Sequence, residues 1–339
     1  MKAQVLLPKI FNFPFTYKSN KENKIGNLVE VPFGSTKSIG VIWKNNHSEP
    51  KNIKIKRIGS KTGYSIDRKL IDFIEWFSSY NLVPIGLVLK MVIGGTDKFI
   101  KKKDELTNFK KTKKKNFKLN KEQLIALDFL ENINDKFDVS VLQGTTGSGK
   151  TLVYFERIRK IIEKNNQALV LLPEIFLTNE FKSRFEDYFG FEPAIWHSKI
   201  TLKQKRVIWN GVINNSIKIL IGARSALFLP FKSLGVIIVD EEHDTSYKQD
   251  EGVTYNARDM AIARANFEEI PIHLVSSVPS LETYNNICKK KYRHIKIFKR
   301  YNEFPLPETK VINLNINKVK NKFLANESVS LVKNYLKKG

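Results

Sequence analysis

Eight consecutive residues, Gly144, Thr145, Thr146, Gly147, Ser148, Gly149, Lys150 and Thr151, follow an apolar run, Val139 to Leu142, and open a segment of helical pattern, Thr151 to Ile162. Glycines so spaced let backbone N–H groups turn inward around a polyphosphate. Lys150 supplies a point charge for the β- and γ-phosphates, and the Thr151 hydroxyl is placed to ligate Mg²⁺. With a strand before it and a helix after it, the segment reads as an ATP-binding phosphate loop rather than a plain glycine-rich turn. Further along, Val236 to Val239 runs straight into Asp240, Glu241, Glu242 and His243. Asp240 is placed to hold Mg²⁺, Glu241 to orient and deprotonate an attacking water, and His243 to relay between nucleotide and the rest of the protein. Alone, such acids read equally well as a solvated helix-capping turn; paired with the loop they complete a nucleotide-hydrolysing site.

The elements that must position these residues alternate along the chain. The pattern predicts helices Lys121 to Glu131, Thr151 to Lys164, Leu177 to Phe189 and Ala257 to Asn266, and strands Val139 to Leu142, Ala168 to Leu172, Lys218 to Ile221, Val236 to Val239 and Ile272 to Val275. That rhythm predicts a parallel α/β sheet with the phosphate site at the carboxyl edge of its strands. Ahead of it, Gln4 to Trp43 reads as short strands of a small β barrel or sandwich: Val5 to Leu7, Phe13 to Tyr17, Leu28 to Phe33 and Gly40 to Trp43. Ile66 to Tyr80 carries Leu70, Ile71, Phe73, Ile74 and Phe77 at helical spacing, and Pro84 to Val92 reads as a second short helix. The pair suggests a winged-helix or helix-turn-helix unit. Lys101 to Lys118 is lysine-rich and nearly free of core residues, a solvated linker or a DNA-tracking strip. The expected domains are therefore 1–62, 63–100, a linker 101–118, 119–300 and 301–339.

The formal net charge of +24 attracts polyanions, nucleic acid first among them. Heavy use of Lys, Asn and Ile throughout raises basicity without any binding role, but the charge also clusters, at Lys101 to Lys103 and Lys110 to Lys118. A single cysteine, Cys288, excludes a disulfide framework and a thiolate zinc cage within this chain. No run reaches the roughly eighteen apolar residues of a membrane span; Ile219 to Phe231 is short and contains Arg224. Met1 to Pro8 lacks a signal-peptide core. The expectation is a soluble cytoplasmic protein with no membrane partner.

Together these motifs resemble those of superfamily 2 helicases, and more narrowly the primosomal replication-restart DNA helicases. Leu119-Asn120-Lys121-Glu122-Gln123 resembles the family's glutamine motif, which implies that Gln123 reads adenine. Leu171 to Thr178 resembles a segment that touches the DNA backbone. Trp196-His197-Ser198 and Gly222 to Phe228, with Arg224, resemble two further motifs on the nucleic-acid side. Asp240 to Gly252, continued by Tyr255 to Asp259, resembles the acidic motif and the aromatic-rich loop that couples DNA engagement to hydrolysis. The resemblance implies DNA contacts by Tyr247, Lys248 and Arg258, rings stacking on bases and cations meeting phosphates. Read without it, Tyr247 and Tyr255 merely packing a loop is the lesser of two readings. Phe15-Thr16-Tyr17, Val31 to Gly34 and the strand around Lys56 resemble the small β domain that captures a DNA 3′ end at a fork. Phe15 and Tyr17 then face DNA, Phe15 stacking on the terminal base and Gly34 permitting close backbone approach. Tyr80 to Gly86 resembles the start of the second helix of the family's winged-helix domain.

The resemblance implies a β-rich 3′-end domain, a winged-helix-like domain and a first RecA-like lobe. It also implies ATP and Mg²⁺ as cofactors, 3′→5′ movement, and forked and single-stranded DNA with primosome and single-strand-binding proteins as partners. The zinc expected of full-length members finds no cysteine ligands here. Three positions depart from the family pattern: Ala223 in place of a threonine, Val278 in place of the last residue of Ser-Ala-Thr, and Thr16 where some members carry aspartate. Each missing hydroxyl at 223 and 278 removes a bond of about 1.5–3 kcal/mol where it is made to a charged group. The match covers only the first half of a typical member. Leu306 to Leu314 and a helix Ser328 to Leu336 resemble the entry to a second lobe, whose arginine motifs do not follow before Gly339. Because an arginine finger contributes ~10³–10⁵ in rate, the expectation is a chain that binds ATP and DNA but turns over poorly. The alternative is a fork-binding module that binds ATP with no motor activity. A P-loop kinase or transporter ATPase leaves the acidic run and the basic surface unexplained.

Overall fold

The computed structural model describes residues 1–20, 22–45, 55–94, 111–132, 136–299, 309–314 and 324–337. The chain divides into two units, Met1–Tyr301 and Asn302–Gly339. The first begins with an antiparallel sheet of β1 (Lys2–Leu6), β2 (Phe15–Lys18), β3 (Asn27–Phe33), β4 (Thr36–Asn45) and β5 (Lys61–Ser65), in the order β2-β1-β4-β3-β5. Side chains alternate across it. Ala3, Val5, Tyr17, Val29, Val31 and Ile42 form one buried cluster, while Leu6, Leu28, Ile39, Val41 and Trp43 join the main core through the opposite face. A Cβ at Gly40 would lie 2.6 Å from Val5 Cγ1 and 2.7 Å from the Leu6 carbonyl, so β4 crosses β1 at a distance only glycine allows. β5 runs across the boundary expected at residue 62.

Next come α1 (Arg68–Tyr80), capped by Asp67 accepting from the Leu70 N–H, and α2 (Ile85–Ile93), ended by Gly94 at φ +72°. The helical spacing was legible: Leu70, Ile71, Phe73, Ile74 and Phe77 are all buried. The two helices expected of a winged-helix-like unit are present, and they pack beyond the first sheet. α2 is almost wholly apolar, with Lys90 its only basic residue, and the Val92 carbonyl accepts from the Trp209 indole N–H at 2.9 Å. Phe77 packs edge-on against Phe228 and Tyr255, and Lys69 reaches the Glu268 carbonyl at 2.8 Å. Both helices thus pack against the large sheet's domain as well as the first sheet, and no wing strand follows among the described residues.

That sheet contains β6 (Asp138–Gly144), β7 (Gln167–Leu171), β8 (Ala194–Trp196), β9 (Ile219–Gly222), β10 (Leu234–Asp240), β13 (Pro271–Ser276) and β14 (Arg293–Ile297), paired in parallel in the order β14-β6-β13-β10-β7-β9-β8. Two short strands, β11 (Lys248–Gln249) and β12 (Tyr255–Asn256), form a separate antiparallel pair. The helices are α3 (Lys121–Glu131), α4 (Lys150–Glu163), α5 (Asn179–Phe189), α6 (Leu202–Ile213), α7 (Ala257–Glu268) and α8 (Leu281–Cys288). One face is covered by Leu130, Val153, Phe155, Ile158 and Phe185 from α3, α4 and α5, and the other by α6, α7 and the α1/α2 pair. Covered on both faces, the central strands read as continuous apolar runs, and all of β10 is buried. Since β13 lies between β6 and β10, the ends of three neighbouring strands bring Gly144, Ser276 and Asp240 to one edge.

The expected linker is only partly described, and Lys101 to Lys110 lie outside the described residues. The remainder is largely exposed but touches α5 and its end: Thr112 N–H bonds the Gly190 carbonyl, Lys115 pairs with Asp187 at 2.8 Å, and Phe117 stacks on Tyr188. In the second unit α9 (Asn326–Leu336) begins two residues before the expected Ser328, and Lys310 pairs with Glu327 at 2.7 Å. The expected Leu306 to Glu308 lie outside the described residues. Among the described residues no helix is long and apolar enough to cross a membrane.

Candidate nucleotide and nucleic-acid sites

The phosphate loop joins β6 to α4 through Gly147 (φ +83°) and Gly149 (φ +80°), two left-handed positions that favour glycine. Gly144 is needed for another reason, since a Cβ there would meet Ser148 Oγ at 2.6 Å. Thr145, Thr146 and Gly147 are exposed at the loop's crown. Lys150 is buried, with Nζ 2.7 Å from the Gly144 carbonyl and 3.3 Å from that of Thr145. Burial lowers its pKa, opposed by the nearby Glu241 and Asp240 carboxylates. The adenine-reading role expected of Gln123 does not match its place. It is fully buried, its Oε1 accepts from the Asn120 N–H in a capping box, and its Nε2 donates to the Ser148 carbonyl at 3.0 Å. Both ends of the amide are used in bracing the phosphate loop from α3.

Asp240 ends β10 with both carboxylate oxygens engaged. Oδ2 accepts from the Tyr154 hydroxyl at 2.8 Å and Oδ1 from the Glu241 N–H at 3.0 Å. Burial pushes its pKa up to about 6, against the pull of the Tyr154 hydrogen bond. Glu241 sits at φ +48°, a conformation costing about 1–2 kcal/mol for a residue with a Cβ. His243 Nδ1 lies 3.6 Å from Glu241 Oε2 and 2.8 Å from Ser276 Oγ. The Ser276 hydroxyl donates its single proton to the Val278 carbonyl at 2.8 Å, so it accepts from His243 and the imidazole proton sits on Nδ1. His243 therefore ties the acidic motif to Ser276-Ser277-Val278 at the end of the neighbouring strand.

Glu242 was not singled out by the sequence, yet it is the most heavily bonded of the acids. At 1% exposure it accepts from the Ser280 N–H (2.8 Å), Ser280 Oγ (3.1 Å), Thr283 Oγ1 (2.9 Å) and Arg258 Nη1 (3.3 Å). A signal was present in Ser280 and Thr283, spaced as a helix N-cap ahead of an acid-containing first turn. Arg258, expected on DNA, is buried instead. It bonds Glu242, the Asp259 carboxylate at 2.8 Å and Ser280 Oγ at 2.6 Å. Tyr247 needs the same correction. It is 1% exposed, and its hydroxyl lies 2.6 Å from the Asp240 carbonyl and 2.9 Å from that of Leu171. Its ring offers no free face to a base. Of the other residues expected on DNA near this loop, Lys248 is exposed beside Asp250, and Arg224 donates to the Lys248 carbonyl at 2.7 Å. The loop from Asp244 to Ala257 is thus fastened to the acidic motif at both ends, by Tyr247 and by Arg258.

In the amino-terminal sheet, Phe15, Gly34 and Lys56 come together. Phe15 meets Phe33 at 5.4 Å, Gly34 follows at φ +61° with open space where a Cβ would be, and Lys56 Nζ donates to the Gly34 carbonyl at 3.1 Å. Phe11 and Phe13 complete an aromatic cluster, Phe13 being 55% exposed, and Lys9 Nζ sits 4.3 Å over the Phe33 ring. Those three residues were missed, although the alternation of Phe11, Phe13 and Phe15 was a signal that the rings share one side. Tyr17 does not join them. It lies on the same sheet face as Phe15 but is buried in the cluster that Phe15 and Phe33 cover, its hydroxyl donates to the Pro32 carbonyl at 3.1 Å, and burial raises its pKa.

The Thr151 hydroxyl and the Asp240 carboxylate are hard oxygen donors beside the phosphate loop, a set that fits Mg²⁺, which takes one or two protein oxygens with substrate phosphates. Among the described residues no group of three or more His, Cys, Asp or Glu side chains could hold a metal by itself, and the Mg²⁺ arrangement needs none. Cys288 is exposed and free.

Residues 4–94 match the family model of the 3′DNA-binding domain of PriA, and residues 121–287 match that of DEAD/DEAH box helicases. The replication restart protein PriA of Rickettsia conorii is 39% identical over 343 residues, covering 98% of this chain and 52% of the relative. The protein of the same name from Bacillus subtilis is 39% identical over 181 residues, covering 53% of this chain and 22% of its own length. The chain spans about half the length of the Rickettsia relatives it matches. Among solved structures, the UvsW helicase of bacteriophage T4 shares 18% identity at a TM-score of 0.39, over 56% of this chain and 64% of that one.

Proposed function

The chain belongs, over the length it spans, to the PriA replication-restart family, and from that premise we propose that it binds ATP with Mg²⁺ and forked DNA bearing a free 3′ end, as part of a 3′→5′ DNA helicase of the cytoplasm. Primosome and single-strand-binding proteins are its proposed partners at the fork. The observation that carries the reading is the meeting of Asp240 and Ser276, at the ends of two neighbouring strands, with Lys150, which opens the helix after the next strand, and the His243–Ser276 bond that ties the acidic motif to the Ser276 segment.

Lys150 and the loop's N–H groups hold the β- and γ-phosphates. Bound through Thr151 and Asp240, Mg²⁺ offsets phosphate charge. Glu241 orients water and accepts its proton, and its strained backbone aims the carboxylate away from the buried side where Glu242 lies. The His243–Ser276 bond then reports the state of the acidic motif to the Ser276–Val278 segment. In the amino-terminal domain, the Phe11/Phe13/Phe15/Phe33 cluster supplies a stacking surface, and Lys56 supplies a phosphate contact beside open Gly34. A second reading, a fork-binding module that binds ATP without motor activity, draws support from Val278, whose side chain is exposed and has no hydroxyl.

The test is ATP hydrolysis with and without a forked substrate carrying a free 3′ end, in the wild type and Lys150→Ala. DNA-stimulated turnover that requires Lys150 supports the motor reading. Fork binding with Lys150-dependent nucleotide affinity and no stimulated turnover supports the second, and no nucleotide affinity at all sinks both.

A further inference from the structure

We infer that Tyr154 is a positioning residue of the metal site, holding Asp240 in the orientation in which it receives Mg²⁺. This deepens the proposed ATP–Mg²⁺ reading and rests on it. α4 leaves the phosphate loop at Lys150, and residues three apart on a helix share a face, so Thr151 and Tyr154 both look toward the end of β10. The Tyr154 hydroxyl donates to Asp240 Oδ2 at 2.8 Å. A side chain expected to hold Mg²⁺ is therefore bridged to the helix that follows the phosphate loop by a residue that nothing in the loop motif specifies.

The bridge is not a by-product of packing. Tyr154 is fully buried, set edge-on to Phe155 at 5.2 Å, on a helix whose other inward residues include Val153, Ile158 and Ile161. Phenylalanine would fill that space without the cost of burying a hydroxyl, about 1–3 kcal/mol where the group goes unpaired. The hydroxyl is there with the Asp240 carboxylate to receive it. With Oδ1 fixed by the Glu241 N–H and Oδ2 by Tyr154, the carboxylate cannot rotate, and its remaining lone pairs point in a set direction. Partners that orient a metal ligand in this way typically change metal affinity about 10–100-fold when removed.

The experiment uses the 339-residue chain with a non-hydrolysable ATP analogue and Mn²⁺ in place of Mg²⁺, bound Mn²⁺ being read by electron paramagnetic resonance. Analogue affinity is measured separately in EDTA. Tyr154→Phe keeps the ring but takes one donor from the Asp240 carboxylate, so its melt falls modestly, and circular dichroism matching the wild type establishes the fold before binding is measured. The expected result is a Mn²⁺ affinity of the analogue-bound chain about tenfold weaker, with analogue affinity in EDTA unchanged. Asp240→Asn weakens Mn²⁺ binding too, and adding Tyr154→Phe to it brings little further loss, because the tyrosine acts through the carboxylate. Unchanged Mn²⁺ affinity in Tyr154→Phe overturns the inference, as does an equal loss of analogue affinity with and without metal, which would mark a packing role alone. If the wild type itself shows no Lys150-dependent binding of the analogue, the nucleotide reading fails first and this inference with it.

Discussion

Two sets of aromatic and basic residues resemble DNA-contacting motifs, and the fold treats them in opposite ways. Around the amino-terminal sheet, Phe13, Phe15, Gly34 and Lys56 lie at or near the surface, and the glycine's open side leaves room for approach. Around the acidic motif, Tyr247 and Arg258 are buried and tied by hydrogen bonds to Asp240, Leu171, Glu242 and Ser280. Ring and charge alone do not make a binding surface. A stacking ring keeps its polar neighbours at the edge and its face in water. A wedge has its hydroxyl consumed by main-chain carbonyls. On the proposed reading the first set holds DNA, and the second transmits to the nucleotide site whatever the loop between residues 244 and 257 undergoes.

The sharpest way to break this contrast is Arg258→Ala. It leaves the Glu242 carboxylate buried without its cation, and the expected loss of about 3–5 kcal/mol appears in denaturant unfolding. A surface role for Arg258 predicts no such loss. Tyr247→Phe is expected to cost about 1–3 kcal/mol, because buried carbonyls lose their donor; a thermal melt matching the wild type would remove the wedge from the account. On the other side, Phe15→Ala should weaken binding of a 3′-ended single strand by about 1–3 kcal/mol. Smallest is Lys56→Ala, expected to lower the salt dependence of single-strand binding by about 0.7 in log–log slope, with the melting curve unmoved.

A pH titration sharpens the contrast from the buried side. Burial lowers the His273 pKa from 6.5 to about 3, assisted by the charges of Arg157 and Arg293, while Ser140 Oγ lies 2.6 Å from its Nδ1. The unfolded chain therefore binds the extra proton between those values, and the stability His273 contributes is complete above pH 6.5 and lost as pH falls toward 3. Asp240, raised from 3.8 to about 6, acts with the opposite sign: the folded chain holds its proton longer, so this residue's contribution to stability falls as pH rises through that window. His273→Gln should flatten the acid limb of stability, and Asp240→Asn should steepen it, both followed by denaturant unfolding from pH 4 to pH 7.

The nucleotide site was the most legible part of the sequence because its geometry is local. Gly147 and Gly149 are needed where the loop turns left-handed, Lys150 and Thr151 open a helix, and Asp240 ends an apolar strand. What could not be read is which side of the chain each acid faces. The left-handed turn at Glu241 separates it from Glu242, and nothing in two adjacent glutamates announces that. Gln123 was misread for a related reason, since its partners, Asn120 and the Ser148 carbonyl, belong to a cap and a loop that meet only on folding. The main parallel strands were visible as apolar runs. β8 has three residues, and β14, at the sheet's edge, alternates Arg293, His294 and Lys296 with Ile295 and Ile297, so neither stood out. α6 and α8 were missed too: Gly211 interrupts the one, and the other has eight residues. The burial of α1 against α7 was likewise invisible, because a helix amphipathic enough to dock on a neighbouring domain looks the same as one that packs within its own.

The most direct test compares the affinities of Phe15→Ala and Tyr247→Phe for a fluorescent oligonucleotide with a free 3′ end, both variants first shown to be folded. The account predicts that Phe15→Ala binds about tenfold more weakly while Tyr247→Phe binds as the wild type does. Loss of affinity in Tyr247→Phe with Phe15→Ala unchanged would reverse the assignment and contradict the division between the two sets.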